Sequence, residues 1–373
     1  MPQLQDYCRR SSLANASVAL WTCTIRKTDA RPAHDREEHR DCTASNSNLQ
    51  SMHLVRSSIR GRVPLSSMGV DLLRKYQLGY AAYGGHKPEV MLRVQDGVIL
   101  PLNRLVPGMG NTAVGLLHIL EDWTNSHERL QRAVDAQATW PETIAEQDLN
   151  WYPPILYPRK LVCIGTNYYD HMQEMGVDER PAWPYSFLKP PTTTLVGSGA
   201  SVAIPQETTQ CDWEIELAVV IGRSAHRCRG SAAMQAVAGY SVFNDISVRD
   251  WLARRPAVGI DWMLHKAFDG FGPFGPWFTP AAHVPDAQNL AMELHVNGVQ
   301  MQKSNTSQMV FGVQAIVEHL SSIMTLEPGD VIATGTPAGV GFGRKPQIFL
   351  KPGDRIVATI EGLGTLTTIT VGT

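Results

Sequence analysis

From about Tyr76 the chain becomes regular. The alternating runs LGYAAY and EVMLRV, a turn at Asp96-Gly97 and then VILPL predict a small β unit. Between Asn111 and Val134, the residues Val114, Leu117, Ile119, Leu120, Trp123, Leu130 and Ala133 recur at helical spacing. The Pro-rich connector WYPPILYP then leads into a larger region of brief apolar segments bounded by Gly and Pro: KLVCIG, TTLVG, ELAVVIG, YSVFND, MELHVNG, DVIATG, DRIVATI and TLTTITVG. These read as strands. Three segments, NYYDHMQEMG, RGSAAMQAVAG and MVFGVQAIVEHLSSI, read as helices, too few and too irregularly placed for a βαβ repeat. The pattern therefore predicts an α+β protein dominated by strands. The first 67 residues show no sustained periodicity and are rich in Arg, Ser, Asn and Asp, which predicts a disordered extension. A small N-terminal α/β domain over 68–150 and a catalytic domain over 151–373 complete the expected layout.

Composition narrows the class. Of 373 residues, 43% are hydrophobic and 18% charged, enough apolar surface for a buried core. The 33 Lys and Arg against 35 Asp and Glu leave a formal charge of −2, so no global basic field exists to hold nucleic acid. No apolar run approaches the roughly 18–20 residues of a membrane span. Six cysteines without a C-x-x-C pair are too sparse for a disulfide scaffold, and a reducing cytoplasm is the expected location. Mitochondrial targeting is the lesser alternative, because Asp29, Asp35, Glu37, Glu38 and Asp41 make the N-terminal stretch more acidic than a transit peptide.

Two glycine-rich runs test as weak signals. GFGPFG, from Gly270 to Gly275, has the letters of a dinucleotide turn, but Pro273, Pro276 and Pro280 deny it the helix that turn must open, so it reads as a tight loop. GTPAGVGFGRK lacks P-loop spacing, yet it follows a strand, where its backbone N–H groups and Thr336 could face a ligand.

The strongest chemistry lies in CDWEIELAVVIG. Strand alternation places Asp212, Glu214 and Glu216 on one face and Trp213, Ile215 and Leu217 on the other. Three adjacent acids at the entrance to a buried strand oppose one another's ionisation, a conflict that a divalent cation resolves; the alternative is an exposed strand face. Asp245 ends the next apolar strand and adds an oxygen ligand. A hard-oxygen set suits one Mg2+ or Mn2+ ion, and no Cys/His cluster supports structural zinc. In GTNYYDHMQEMG, His171 and Glu174 lie three apart, so on a helix the carboxylate could orient the imidazole as a general base; a solvated pair is the alternative. Lys266 alone reads as solvated or catalytic.

Taken in order, GTNYYDHMQEMG, FLKPPTTTLVGSG, DWEIELAVVIGR, GYSVFNDISVRDW, HKAFDGFGPFGP, VNGVQMQKSNTSQMVF and LEPGDVIATGTPAGVG resemble the fumarylacetoacetate hydrolase family. The likeness runs from about Leu161 to the C-terminus, and more weakly back to about Tyr76. It implies a mixed β-sandwich roll preceded by a small N-terminal domain, assembled as a homodimer. It also implies metal ligands at Glu214, Glu216 and Asp245, a His171/Glu174 dyad on a short helix, an active-site lysine at Lys266, and substrate contacts at Arg249, Thr336 and Lys189. Leu252 stands where many members carry a glutamine, which replaces an amide with an apolar group and favours a bulkier acyl substituent. The implied activity is metal-dependent hydrolysis of a carbon–carbon bond in an acylpyruvate-like 1,3-dicarbonyl compound. β-Keto acid decarboxylation and keto–enol or hydroxy-dienoate isomerisation are alternatives on the same parts, and a silent metal-stabilised scaffold is the non-enzymatic one.

Overall fold

A computed structural model of the protein describes residues 73–252, 254 and 259–373. The extension expected over 1–67 lies outside the described residues. The architecture is α+β, dominated by strands: a mixed sandwich roll. Its large sheet runs in the order Ile99–Pro101, Glu89–Val94, Tyr76–Ala82, Trp277–Pro280, Val237–Asn244, Ile215–Ile221, Val331–Ala333, Leu161–Gly165, Tyr185–Leu188, with Asn150–Tyr152 pairing on Tyr76–Ala82. Neighbours are antiparallel except Val331–Ala333 and Leu161–Gly165, which run parallel. A second sheet of five strands is ordered Val299–Asn305, Ala291–Val296, Arg355–Ile360, Gly364–Gly372, Ser201–Ile204.

Burial explains why ELAVVIG reads as a continuous apolar run. Ile215, Leu217, Val219 and Ile221 pack towards Leu294, Ile356 and Leu366 of the second sheet. Ala218 and Val220 pack on the opposite side with Leu120, Leu130 and Phe278. A strand covered on both faces has no polar side to alternate with. The helix Val313–Ile323 closes the first core with Val313, Ile316, Val317 and Leu320, a 3.6-residue stripe. On the other face lie Leu117–Glu121 and Trp123–Asp135, the two pieces of the helical stretch expected over 111–134.

The strands near the N-terminus share the large sheet with the rest of the chain. Tyr76–Ala82 pairs with Trp277–Pro280 at Leu78↔Phe278 and Gly79↔Trp277, and Tyr76, Leu78 and Leu92 share one core with Ala218 and Val331. The GFGPFG run is more extended than a tight loop: Gly272–Pro273 pairs in parallel with Leu195–Val196, and Phe274 bridges to Phe243.

Candidate active site

The acidic segment departs from simple alternation. Cys211–Asp212 pairs with Ser247–Val248, and a separate strand begins at Ile215. The break arises because three successive amides donate to side chains: Trp213 N–H to Asp212 Oδ1, Glu214 N–H to Asn244 Oδ1 and Ile215 N–H to Gln302 Oε1, at 2.9, 3.0 and 3.0 Å. Asp212 is not one of the acids grouped with Glu214 and Glu216; that place is taken by Asp245. Asp212 is fully buried and accepts from Gly341 N–H at 2.7 Å, Phe342 N–H at 3.0 Å and Arg249 Nε at 2.9 Å. The shared acidic face expected of all three residues is replaced by two carboxylates, with the third organising the loop behind them.

Glu214, Glu216 and Asp245 come together as expected: each offers an oxygen within 4.8 Å of the others, and all three are buried. No cation adjoins them in sequence, but the fold supplies three. Lys266 Nζ donates to Glu214 Oε2 and Asp245 Oδ2, both at 2.7 Å, and is buried rather than solvated. Lys189 Nζ donates to Asp245 Oδ1 and to Phe271 O. Arg249 Nη2 donates to Glu214 Oε1 at 2.6 Å, so its guanidinium joins Glu214 to Asp212. Burial opposes ionisation of Glu214, yet Lys266 and Arg249 outweigh it and bring its carboxyl down to about 2. Glu216 goes the other way: burial, then the Asp245 and Glu214 charges, hold its carboxyl well above the usual carboxylate range. One hydrogen bond, from Gly335 N–H at 2.7 Å, reaches Glu216 Oε2. An ionised Glu216 in this position calls for positive charge, the donors are all hard oxygens, and each carboxylate has about four lone-pair sites, more than the lysines use. The three residues fit a divalent cation such as Mg2+ or Mn2+.

The second group sits on the helix Tyr169–Glu174. His171 Nδ1 and Glu174 Oε2 are 2.9 Å apart, and His171 is buried. Glu174 Oε1 accepts from Gly339 N–H at 2.9 Å, while Asp170 accepts from Ala338 N–H at 3.3 Å and from Ser304 Oγ. Nε2 of His171 has no hydrogen-bond partner among the described residues, and the late glycine loop links the two groups, with Gly339 N–H on Glu174 and Gly335 N–H on Glu216.

Residues 160–371 match the family described as fumarylacetoacetate (FAA) hydrolase C-terminal. The chain belongs to the fumarylacetoacetate hydrolase family. Human mitochondrial oxaloacetate tautomerase FAHD2B is 39% identical over 270 residues, 72% of this chain and 83% of that protein. A 2-hydroxyhepta-2,4-diene-1,7-dioate isomerase from Mycobacterium marinum has a TM-score of 0.57 at 30% identity, covering 79% of this chain and 98% of its own. Maleylpyruvate hydrolase from Sphingobium sp. SYK-6, solved with manganese(II) and pyruvate, has a TM-score of 0.64 at 27% identity, covering 79% and 99%. These fumarylacetoacetate hydrolase relatives are enzymes of three reaction types.

Against that family background, two residues expected at the substrate lie differently from one another. Thr336 Oγ1 donates to Ile215 O at 2.9 Å and accepts from Gln302 Nε2 at 2.8 Å, so its hydroxyl ties the late glycine loop to the site strand. Leu252 ends the short helix Arg249–Leu252, half-buried, and is part of no hydrophobic cluster among the described residues. The loop amides at Gly335, Gly339, Gly341 and Phe342 face protein carboxylates, where the sequence suggested a ligand. Sequence reasoning missed Gln302, which binds both Ile215 N–H and Thr336; a buried glutamine in the otherwise polar run VQMQKSN carries no local signal. It also missed Asn244 Nδ2 and His265 Nε2, buried nitrogens without a partner among the described residues, each one position before a site residue. Burial, with Lys266 next to it, lowers His265 to about 4 and keeps it neutral.

Proposed function

We propose that this chain is a divalent-metal-dependent enzyme that interconverts the keto and enol forms of a 1,3-dicarbonyl 2-oxo acid, oxaloacetate being the first substrate to test. The observation that carries the reading is a buried three-carboxylate set joined through the late glycine loop to a His–Glu pair whose Nδ1 is occupied and whose Nε2 has no partner among the described residues. A cation held by Glu214, Glu216 and Asp245 would supply Lewis acidity to two substrate oxygens. His171 Nε2 takes the proton from the carbon between the carbonyls, and the proton is returned to the carbonyl oxygen, so the enol forms with no other atom exchanged. Glu174 holds the ring through Nδ1. Lys266, buried between Glu214 and Asp245, balances negative charge growing on the substrate oxygen. The likeness to the human tautomerase supports the assignment.

A second reading, hydrolysis of an acylpyruvate with a larger acyl group, is favoured by Leu252, whose side chain offers an apolar contact and no hydrogen bond. Here the same dyad removes a proton from water. We further propose that the chain acts as a homodimer on a small molecule, with no nucleic acid or membrane partner. The experiment follows the ultraviolet absorbance of enol-oxaloacetate with Mn2+, beside pyruvate and CO2 release from oxaloacetate and acylpyruvates of increasing length. Accelerated enol decay without a mass change supports tautomerisation. Pyruvate with a free acid moves the assignment to hydrolysis, CO2 moves it to decarboxylation, and no turnover of any of them removes it.

A further inference from the structure

The late glycine loop carries glycines at 339, 341 and 343, and a side chain at each would meet a different obstacle. A Cβ on Gly339 would lie 2.2 Å from Met301 O, and one on Gly341 1.9 Å from Ile348 O. Both obstacles are backbone, which yields only by moving the fold. Gly343 differs. Its φ lies outside the left-handed region, so the backbone there accepts an L-residue. A Cβ would lie 2.3 Å from Glu174 Cδ and 2.5 Å from Oε1, and these are its three nearest neighbours together with Glu174 Cγ. Space at Gly343 is thus reserved for one carboxylate.

That carboxylate is held on two sides, by His171 Nδ1 through Oε2 and by Gly339 N–H through Oε1. Beyond it opens a cavity of about 420 Å³ lined by Glu174, Met175, Phe342, Gly343, Arg344 and Lys345. A flexible side chain pushed from its place moves cheaply, and here it has a void edged by two cations to enter. We propose that Gly343 is a positioning residue for the dyad: its missing side chain seats the Glu174 carboxylate against His171. The bare Cα matters to the reaction and little to the fold. This rests on the reading of His171 and Glu174 as the proton-transfer pair.

The test is a double-mutant cycle in the full chain with Mn2+. Gly343→Ala is expected to lower kcat by about 10²-fold, the lower end for loss of a positioned base. KM and Mn2+ affinity should stay within about two-fold and the melting temperature within about 2 °C, as for a substitution that creates no core defect. In the Glu174→Ala background there is no carboxylate to displace, so adding Gly343→Ala should change kcat by less than about two-fold. An unchanged kcat in Gly343→Ala overturns the proposal. So does a second loss of the same size in the Glu174→Ala background, or loss of Mn2+ binding, because either locates the effect in the loop. A normal kcat in His171→Ala removes the dyad itself, whereas a His171→Ala defect beside a normal Gly343→Ala removes this inference alone.

Discussion

Asp212 offers the sharpest check on how the site is built. Alternation would make it a third acid on the ligand face, whereas the structure makes it the acceptor of four donors, from Trp213, Gly341, Phe342 and Arg249. Removing one partner of a buried ion pair costs about 3–5 kcal/mol, and each buried amide left without an acceptor adds about 1–3 kcal/mol. Asp212→Ala would therefore lose at least about 5 kcal/mol, comparable to the entire stability of a typical domain, and is expected to misfold. Asp212→Asn is the informative change. It keeps the volume and one acceptor oxygen, but it turns an N–H2 towards a donor and removes the charge that pairs with Arg249. A cost of about 2–4 kcal/mol follows, which at roughly 2–4 °C per kcal/mol lowers the melting temperature by about 5–15 °C. Mn2+ binding should weaken by about 10- to 100-fold, the usual effect of losing a group that orients a ligand, since Arg249 then steers Glu214 without an anchor. Guanidinium unfolding and Mn2+ calorimetry on the same preparation read both quantities. Abolished Mn2+ binding at unchanged stability would make Asp212 a ligand and refute the reasoning.

Four further outcomes are expected. Chelator should abolish activity, and Glu216→Gln should remove the Mn2+-dependent rise in melting temperature while raising the melting temperature of the metal-free protein at pH 7. Its carboxyl is held above the usual range, so the ionised form costs stability as pH rises; a less stable metal-free Glu216→Gln contradicts this. Glu214 has the opposite sign: lowered to about 2, it contributes stability above its ordinary value and loses it as pH falls from about 4.5 towards 2. Lys266→Met, which moves the folded-state value back towards 4.5, should make that loss smaller and end it at higher pH, measured by denaturant titration of the metal-free protein between pH 2 and 6. His171→Ala should slow turnover by about 10² to 10⁴ with Mn2+ affinity little changed; joint loss of both would identify His171 as a ligand.

The pieces legible in the sequence are those whose cause is local. A six-residue helix carrying His171 and Glu174 shows in the spacing, and Asp245 shows at the end of an apolar run. The strand boundaries of Glu89–Val94 follow from alternation alone. The interruption at Trp213 and Glu214 was not legible, because the acceptors that cause it belong to Asp212, Asn244 and Gln302, the last of them 87 residues from Ile215. The same holds for the loop amides: GTPAGVGFG shows where glycine occurs but not that Gly335 and Gly339 find carboxylates 119 and 165 residues away. Lys189 and Lys266 look like ordinary surface lysines until the sheet brings Asp245 between them.

The position of Val331–Ala333, between Ile215–Ile221 and Leu161–Gly165, has a consequence in time. Synthesis proceeds at about 5–20 residues per second, so on the order of ten to thirty seconds pass between the making of Glu174 and of Gly339, 165 residues later. Once Asp245 is made, a growing chain holds every carboxylate of the site, but lacks the amides that brace them and the strand that fills the gap. Ile215–Ile221, apolar on both faces, waits with one edge unpaired. The nascent protein is therefore most exposed to aggregation just before its C-terminal segment emerges, and a ribosome stalled near residue 330 would release a chain with its stickiest edge open.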